Sequence, residues 1–212
     1  MSGATRLVVW RHGNTDWNAD GRVQGQTDTP LNDLGRQQAV DAAELLVRLR
    51  PDAIVASDLR RAVDTAAALA ALTGLSVRPD VRLRERYFGA WQGLTMTEVS
   101  QRRPDEHARW AAGADVIGGD VETLDDMGKR VGEALQDAAD RTPGGTVVVT
   151  THGGAARQGI GHLLGWPTAQ LRTVRALQNC HWAELTHDTS RGWQLSAYNV
   201  GAFSERPVPP PV

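Results

Sequence analysis

The apolar run TVVVTT at residues 146–151 constrains the fold of this chain more than any other feature. A short, continuous run of β-branched residues predicts a strand that is buried on both faces of a sheet. A helical pattern follows it over residues 153–164, and two further apolar runs occur at residues 7–10 and 53–57. Strands that alternate with helices predict an α/β fold with three layers, in which helices cover both faces of a mostly parallel sheet.

The remaining elements are consistent with one domain over residues 1–204. Helical patterns are predicted from Asn32 to Leu49, from Arg61 to about Leu72 and along a stripe from Met127 to Ala138. A short strand is predicted at 75–80, and two late strands near residues 181 and 193 are predicted to form a hairpin with Gly192 in its connection. Residues 84–121 form a polar middle segment, and residues 205–212 form a proline-rich, flexible tail.

Composition excludes several classes of function. A net charge of −2 gives the 212-residue chain no general attraction to nucleic acid or to an anionic membrane. Cys180 is the only cysteine, so neither an intrachain disulfide nor a thiolate metal cluster can form. No window is apolar enough to span a membrane. We therefore expect a cytoplasmic protein.

Two histidines stand directly after predicted strands, and a glycine follows each of them. They lie in RHG at residues 11–13 and in HGG at residues 152–154. In α/β folds, ligands bind beyond the carboxyl ends of the strands. Glycine lets the backbone approach a ligand closely, and the start of the following helix favours an anion. The two motifs together predict an anion site.

Charged residues in two other motifs fit the same site. Arg60 and Arg61 open a predicted helix, where a cation is disfavoured unless a negative charge lies nearby. Glu85, in LRERYFGAWQGL, is either one half of a surface ion pair or the general acid of the site.

Five motifs in this order, RHGNTDWN, LNDLGRQQA, SDLRRAVDT, RERYFGAWQGL and VVVTTHGG, resemble the histidine phosphatase superfamily, in its phosphoglycerate mutase-like branch. The resemblance runs from about Leu7 to Leu164 and implies hydrolysis of a small-molecule phosphate ester through a phosphohistidine, without a metal or another cofactor. It implies that His12 is the nucleophile, that Arg11, Arg61 and His152 form the phosphate pocket, and that Glu85 is the acid and base. From the chemistry of phosphoryl transfer we expect His152 to be protonated, so that it and the two arginines serve the three equatorial oxygens. It further implies substrate contacts from Thr15, Asn18, Gln24, Gly25 and Gly153.

The chemistry agrees with this resemblance, because phosphoryl transfer mainly needs positioning and stabilisation of charge. His12 must be neutral to attack, and neighbouring arginines push the pKa of its imidazole down. Among phosphatases, the segments RVQGQTDTPLNDLGRQQA and NCHWAEL are most similar to actinobacterial glucosyl-3-phosphoglycerate phosphatases. Broad-specificity and α-ribazole phosphatases share much of the same pattern.

Two alternative functions stay open, and the oligomeric state is a separate question. A cofactor-dependent phosphoglycerate mutase would need a longer middle segment with lysine, although Arg102, Arg103 and Arg109 offer contacts for a substrate carboxylate. A binding module without turnover would lack one of the essential groups, yet this chain has them all. A homodimer through late apolar segments such as HWAEL is also possible.

Overall fold

The computed structural model describes residues 5–115, 117–118 and 120–202, so the predicted tail lies outside the described residues. The strands are β1 (Thr5–Arg11), β2 (Ala53–Ala56), β3 (Val77–Pro79), β4 (Thr146–Thr151), β5 (Trp182–Asp188) and β6 (Gly192–Val200). The helices are α1 (Asp16–Ala19), α2 (Asp33–Leu46), α3 (Arg60–Thr73), α4 (Met96–Arg102), α5 (Pro104–Ala112), α6 (Leu124–Asp140) and α7 (Gly153–Leu163). Short 3₁₀ helices cover Val47–Leu49, Val81–Leu83, Gly89–Trp91 and Gln170–Thr173. None of these helices is long and apolar enough to cross a membrane.

The six strands form one mixed sheet in the order β3-β2-β4-β1-β5-β6. The first four strands of the chain are parallel to one another, as the alternation of strands and helices predicts. β5 is antiparallel to β1, and β6 pairs antiparallel with β5 as the predicted hairpin. Gly192 has a φ of +74° at the end of the connection, a conformation that glycine adopts without strain.

Helices cover both faces of the sheet because the strand residues alternate in direction. Leu7 and Val9 of β1 pack in a core cluster with residues of α6 and α7. Val8 and Trp10 point to the opposite face and pack with residues of α2 and α3. Each central strand is therefore apolar on both sides, which explains its continuous apolar run.

The middle segment contains two helices, α4 and α5, that the sequence pattern did not predict. Thr95 and Glu98 form a capping box at the start of α4. The segment has a small core of its own around Trp91, Val99 and Ile117, all of which are buried. These short helices are held by tertiary contacts, which a search for helical periodicity does not detect.

The sheet brings the two His-Gly motifs together. β1 and β4 are neighbours, and their register pairs Arg11 with Thr151. The next residues, His12 and His152, therefore leave the sheet side by side at the carboxyl ends of these strands. The backbone N–H of His12 still donates to the carbonyl of Thr151, at 2.9 Å.

Candidate active site

His12 is held as a neutral imidazole with one free nitrogen. Its ring is buried, and Nδ1 lies 2.7 Å from the carbonyl oxygen of Gly13. A carbonyl can only accept, so Nδ1 carries the proton and Nε2 carries the lone pair. Burial, followed by the charges of Arg61 and Arg11, holds the pKa of His12 well below its usual range. This is the form that a nucleophilic histidine needs.

The backbone around His12 is fixed by close contacts. The N–H of Gly13 donates to Thr65 Oγ1 at 3.0 Å, and the carbonyl of His12 accepts from Asn179 Nδ2 at 3.0 Å. A Cβ at Gly13 would lie 2.3 Å from the carbonyl oxygen of Gly35, so only glycine fits there. The turn after β1 is therefore locked against the start of α2.

Asn18 presents its amide donors because its oxygen is fully engaged. Asn18 Oδ1 accepts from the backbone N–H of Thr15 at 3.3 Å, from Thr15 Oγ1 at 3.2 Å and from Asn179 Nδ2 at 3.2 Å. The Nδ2 donors of Asn18 have no acceptor in the described part of the chain. The hydroxyl of Thr15, expected to contact substrate, both donates to Asn18 and accepts from its backbone N–H, so it caps α1.

Arg61 links the two halves of the site. Its side chain is fully buried at the start of α3 and donates from Nε to His152 Nδ1 at 3.2 Å. Its Nη1 donates to the carbonyl of Thr27 at 2.7 Å, and its Nη2 donates to that of Gly25 at 2.8 Å. Burial lowers the pKa of Arg61 to about 10, so the guanidinium stays charged at neutral pH. Arg61 therefore supplies positive charge and orients both His152 and the loop over residues 24–29.

That loop carries Gln24 and Gly25, two of the predicted substrate contacts. Gln24 is buried, and its Oε1 accepts from Thr29 Oγ1 at 2.6 Å. Gly25 has a φ of +53°, and a Cβ there would lie 2.2 Å from Gln92 Oε1. The loop is thus packed tightly beside Arg61, and its contacts with substrate remain a prediction.

His152 is neutral, which corrects the expectation of a protonated histidine. Its Nδ1 accepts from Arg61, so its proton is on Nε2, which lies 2.9 Å from Ser57 Oγ. Burial, then the charge of Arg61, hold the pKa of His152 well below its usual range. Its ring centroid lies 5.1 Å from that of His12.

Arg11 offers a donor that the protein itself does not use. Its Nη1 donates to the carbonyl of Leu177 at 2.7 Å. Its Nε is buried and has no partner among the described residues. Burial lowers the pKa of Arg11, while the carboxylate of Glu85 raises it. Buried donors without a partner are rare, and this one indicates a place for an anion.

The carboxylate of Glu85 is seated on the first turn of α7. It accepts from the backbone N–H groups of Gly154 at 2.9 Å, Ala155 at 3.0 Å and Arg86 at 2.9 Å. The helix start was expected to bind the anionic ligand, but its second and third amides already hold this side chain. The amide of Gly153 donates to none of the described residues, so it alone stays available at this end of α7.

A pocket of about 400 Å³ opens beyond Glu85. Its walls include Gly154 and Arg157 of α7, together with Phe88 and Trp110 of the middle segment. The pocket thus adjoins the carboxylate of Glu85.

The arginines proposed for a substrate carboxylate do not line this pocket. Arg102 and Arg103 pair with Glu98 and Glu106, at 3.6 Å and 3.0 Å. Arg109 donates to the backbone within the middle segment. They stabilise local structure, whereas the pocket presents other arginines.

Sequence reasoning missed two positioning residues. Ser57 follows β2 and bonds His152, and Asn179 precedes β5 and bonds both His12 and Asn18. Ser57 opens the motif SDLRRAVDT and Asn179 opens the segment NCHWAEL, but only the sheet order shows that they reach the histidines. Among the described residues, no group of three or more His, Cys, Asp or Glu side chains is arranged to hold a metal ion.

Comparison with known proteins gives consistent results. A sequence model described as "Histidine phosphatase superfamily (branch 1)" matches residues 7–201. A glucosyl-3-phosphoglycerate phosphatase from Mycolicibacterium vanbaalenii is 39% identical, and the alignment covers 93% of this chain and 95% of that protein. A metal-independent phosphoserine phosphatase from Arabidopsis thaliana is also 39% identical, over 74% of this chain and 67% of that protein.

Solved structures agree with the sequence comparison. The structure of a mycobacterial glucosyl-3-phosphoglycerate phosphatase with VO3 superimposes with a TM-score of 0.85 at 39% identity. That match covers 92% of this chain and 99% of the mycobacterial chain.

Proposed function

Since this chain belongs to branch 1 of the histidine phosphatase superfamily and is a phosphomonoesterase, we propose that it forms a phosphohistidine on His12. The observation that carries this assignment is the neutral imidazole of His12, whose Nδ1 is tied to the carbonyl of Gly13. Its Nε2 lone pair lies in a site that two arginines make positive.

The first step moves the phosphoryl group to the enzyme. Nε2 of His12 attacks phosphorus and the ester P–O bond breaks. Glu85 enters this step as the carboxylic acid and gives its proton to the leaving oxygen. Charge on the phosphoryl oxygens is stabilised by Arg11 and Arg61, and further donors come from Asn18 and the Gly153 amide. The free Nε–H of Arg11 and the free Nδ2 of Asn18 support these roles.

The second step returns the enzyme to its starting state. Glu85, now ionised, takes a proton from water, and the hydroxide oxygen attacks phosphorus as the P–N bond to His12 breaks. Inorganic phosphate leaves, and His12 is again neutral. His152 keeps its place through Ser57 and Arg61 and donates to a phosphoryl oxygen only when its ring gives up the contact with Ser57.

The proposed substrate is a phosphoglycerate derivative, with glucosyl-3-phosphoglycerate as the first candidate. Relatives with that name match 93–94% of this chain. The pocket beyond Glu85 has room for a glycosylated acid. A mutase remains the second candidate only in principle, because Arg102 and Arg103 are paired within the middle segment. A cytoplasmic location and a homodimer remain predictions from the sequence.

Trapping the intermediate tests this proposal. The wild-type protein, treated with chelator and quenched rapidly after mixing with ³²P-labelled substrate, is expected to carry a label that acid releases and base does not. His12→Ala is expected to abolish both label and turnover. His187→Ala is the matched control, because His187 pairs with Thr5 at the end of β1 that lies far from His12. An active His12→Ala protein, or turnover without the label, would overturn the assignment.

A further inference from the structure

Arg157 is an arginine with unused donors in the pocket beyond Glu85. It lies on α7, and its side chain lines the pocket together with Gly154 and Glu85. Its Nε is buried without a partner among the described residues, and its Nη1 makes one long contact of 3.3 Å with the carbonyl of Val174. No carboxylate in the described ranges pairs with it. A guanidinium with five donors is thus nearly unsatisfied.

The other arginines in the pocket walls have structural partners. Arg86 donates to the carbonyls of Glu122 and Asp115, which hold the middle segment. Arg172 is exposed and donates to the carbonyl of Ala112. Of the three arginines that line the pocket, Arg157 is the one with a buried donor that has no partner among the described residues, so it is the one placed to bind a ligand.

The carboxylate of Glu85 does not neutralise the charge of Arg157. Glu85 is the only acidic residue among the described residues that line the pocket. Its two oxygens already accept from three backbone amides. The end of the pocket around Arg157 is therefore positive, and its planar donor fork matches a carboxylate.

We propose that Arg157 binds a carboxylate on the leaving group of the substrate, so that the enzyme selects phosphomonoesters of small acids. This inference rests on the proposed function, because Glu85 must mark the leaving-group side of the site. Arg157 comes three positions after Gly154, a rise of about 4.5 Å along α7. A carboxylate that extends from the leaving group past Glu85 into this pocket therefore meets Arg157 on the same wall.

Two substrates with the same carbon skeleton test the subsite. 3-Phosphoglycerate carries a carboxylate where glycerol 3-phosphate carries a hydroxymethyl group. The wild type is expected to prefer 3-phosphoglycerate in kcat/KM, and Arg157→Gln is expected to reduce that preference at least about tenfold, mainly through KM. Arg157→Lys keeps the charge and loses the planar pair of donors, so its preference for 3-phosphoglycerate is expected to lie between those of the wild type and Arg157→Gln. Arg141→Gln is the matched control, because Arg141 is exposed beyond the far end of α6.

A purely structural role for Arg157 would slow both substrates by the same factor and leave their ratio unchanged, and that result would overturn the subsite. A wild-type protein that hydrolyses both substrates with the same kcat/KM would also overturn the subsite. Calorimetry in a His12→Ala background separates the subsite from turnover. Tighter binding of 3-phosphoglycerate that Arg157→Gln abolishes supports the subsite even if the phosphohistidine assignment fails, and equal binding of both ligands refutes it.

Discussion

Gly154→Ala is expected to move the catalytic carboxylate without unfolding the protein. A Cβ at Gly154 would lie 2.6 Å from Glu85 Oε1, and ordinary contact begins near 3.4 Å. The oxygen must therefore retreat by about 0.8 Å. The neighbour that yields is the end of a flexible side chain, so the fold can absorb the change. Alanine at this helical position also favours the folded state by about 0.5–1 kcal/mol relative to glycine.

We expect Gly154→Ala to slow proton transfer from Glu85 to the leaving oxygen. A displacement of about 1 Å in a positioned group can cost about a hundredfold in rate, and general acid catalysis contributes roughly 10²–10⁴-fold. We expect kcat/KM of Gly154→Ala to fall about 100-fold on an alkyl phosphate, whose leaving oxygen needs a proton. On p-nitrophenyl phosphate we expect a much smaller loss, because an acidic phenol leaves without protonation. Steady-state kinetics on both esters measure the difference.

Gly128→Ala serves as the matched control. Gly128 is likewise a glycine within a helix, but a Cβ there would lie 3.5 Å from its nearest neighbour, which is ordinary contact. This variant is expected to keep its activity on both esters. If Gly154→Ala slowed both esters equally, or slowed neither, the seat of Glu85 on α7 would not control proton transfer and the reasoning above would be refuted.

Three further results are expected. The pKa values of His12 and His152 in the folded protein lie below their values in the unfolded chain. The unfolded chain therefore takes up two more protons than the folded protein as pH falls below about 6.5. The free energy of unfolding should then drop by up to about 2.7 kcal/mol per pH unit. Urea titrations of His152→Ala should show about half that slope, and an unchanged slope would contradict the pKa directions. Asn179→Ala should lower kcat/KM about tenfold, and Asn179→Asp should lower it further because a carboxylate would face two oxygens; an Asp variant as active as the wild type would argue against the role. Gly13→Ala should lose roughly 2–4 kcal/mol of stability, since its Cβ would meet backbone at 2.3 Å, and an unshifted denaturation midpoint would contradict that contact.

The sequence predicts the central sheet well because its strands are buried on both faces. Runs such as TVVVTT have no polar alternation, and only a strand between two helical layers satisfies them. The middle segment has no such constraint. Its helices α4 and α5 are short, and their stability depends on packing around Trp91, which is a tertiary property that local pattern does not encode.

The site residues also divide into those that the strand pattern predicts and those that depend on tertiary contacts. The histidines follow predicted strands, so their meeting could be expected from the sheet alone. The hydrogen bonds between Glu85 and the first turn of α7 could not be predicted, because residues 85 and 154 are far apart in sequence and are brought together only by the tertiary fold. The protonation state of His152 was also out of reach, since it depends on Arg61 donating to its Nδ1.

The first turns of α7 order the proposed reaction along one helix. Gly154 and Ala155 hold the carboxylate of Glu85, and Arg157 lines the adjoining pocket one turn later. In the proposed reaction, Gly153 offers its amide to the phosphoryl group. Because the helix start is occupied by Glu85, the charge of the phosphoryl group must be met by Arg11 and Arg61. The positive end of the helix therefore orients the acid rather than the phosphate, and in our proposal Arg157 meets the carboxylate of the leaving group one turn further along.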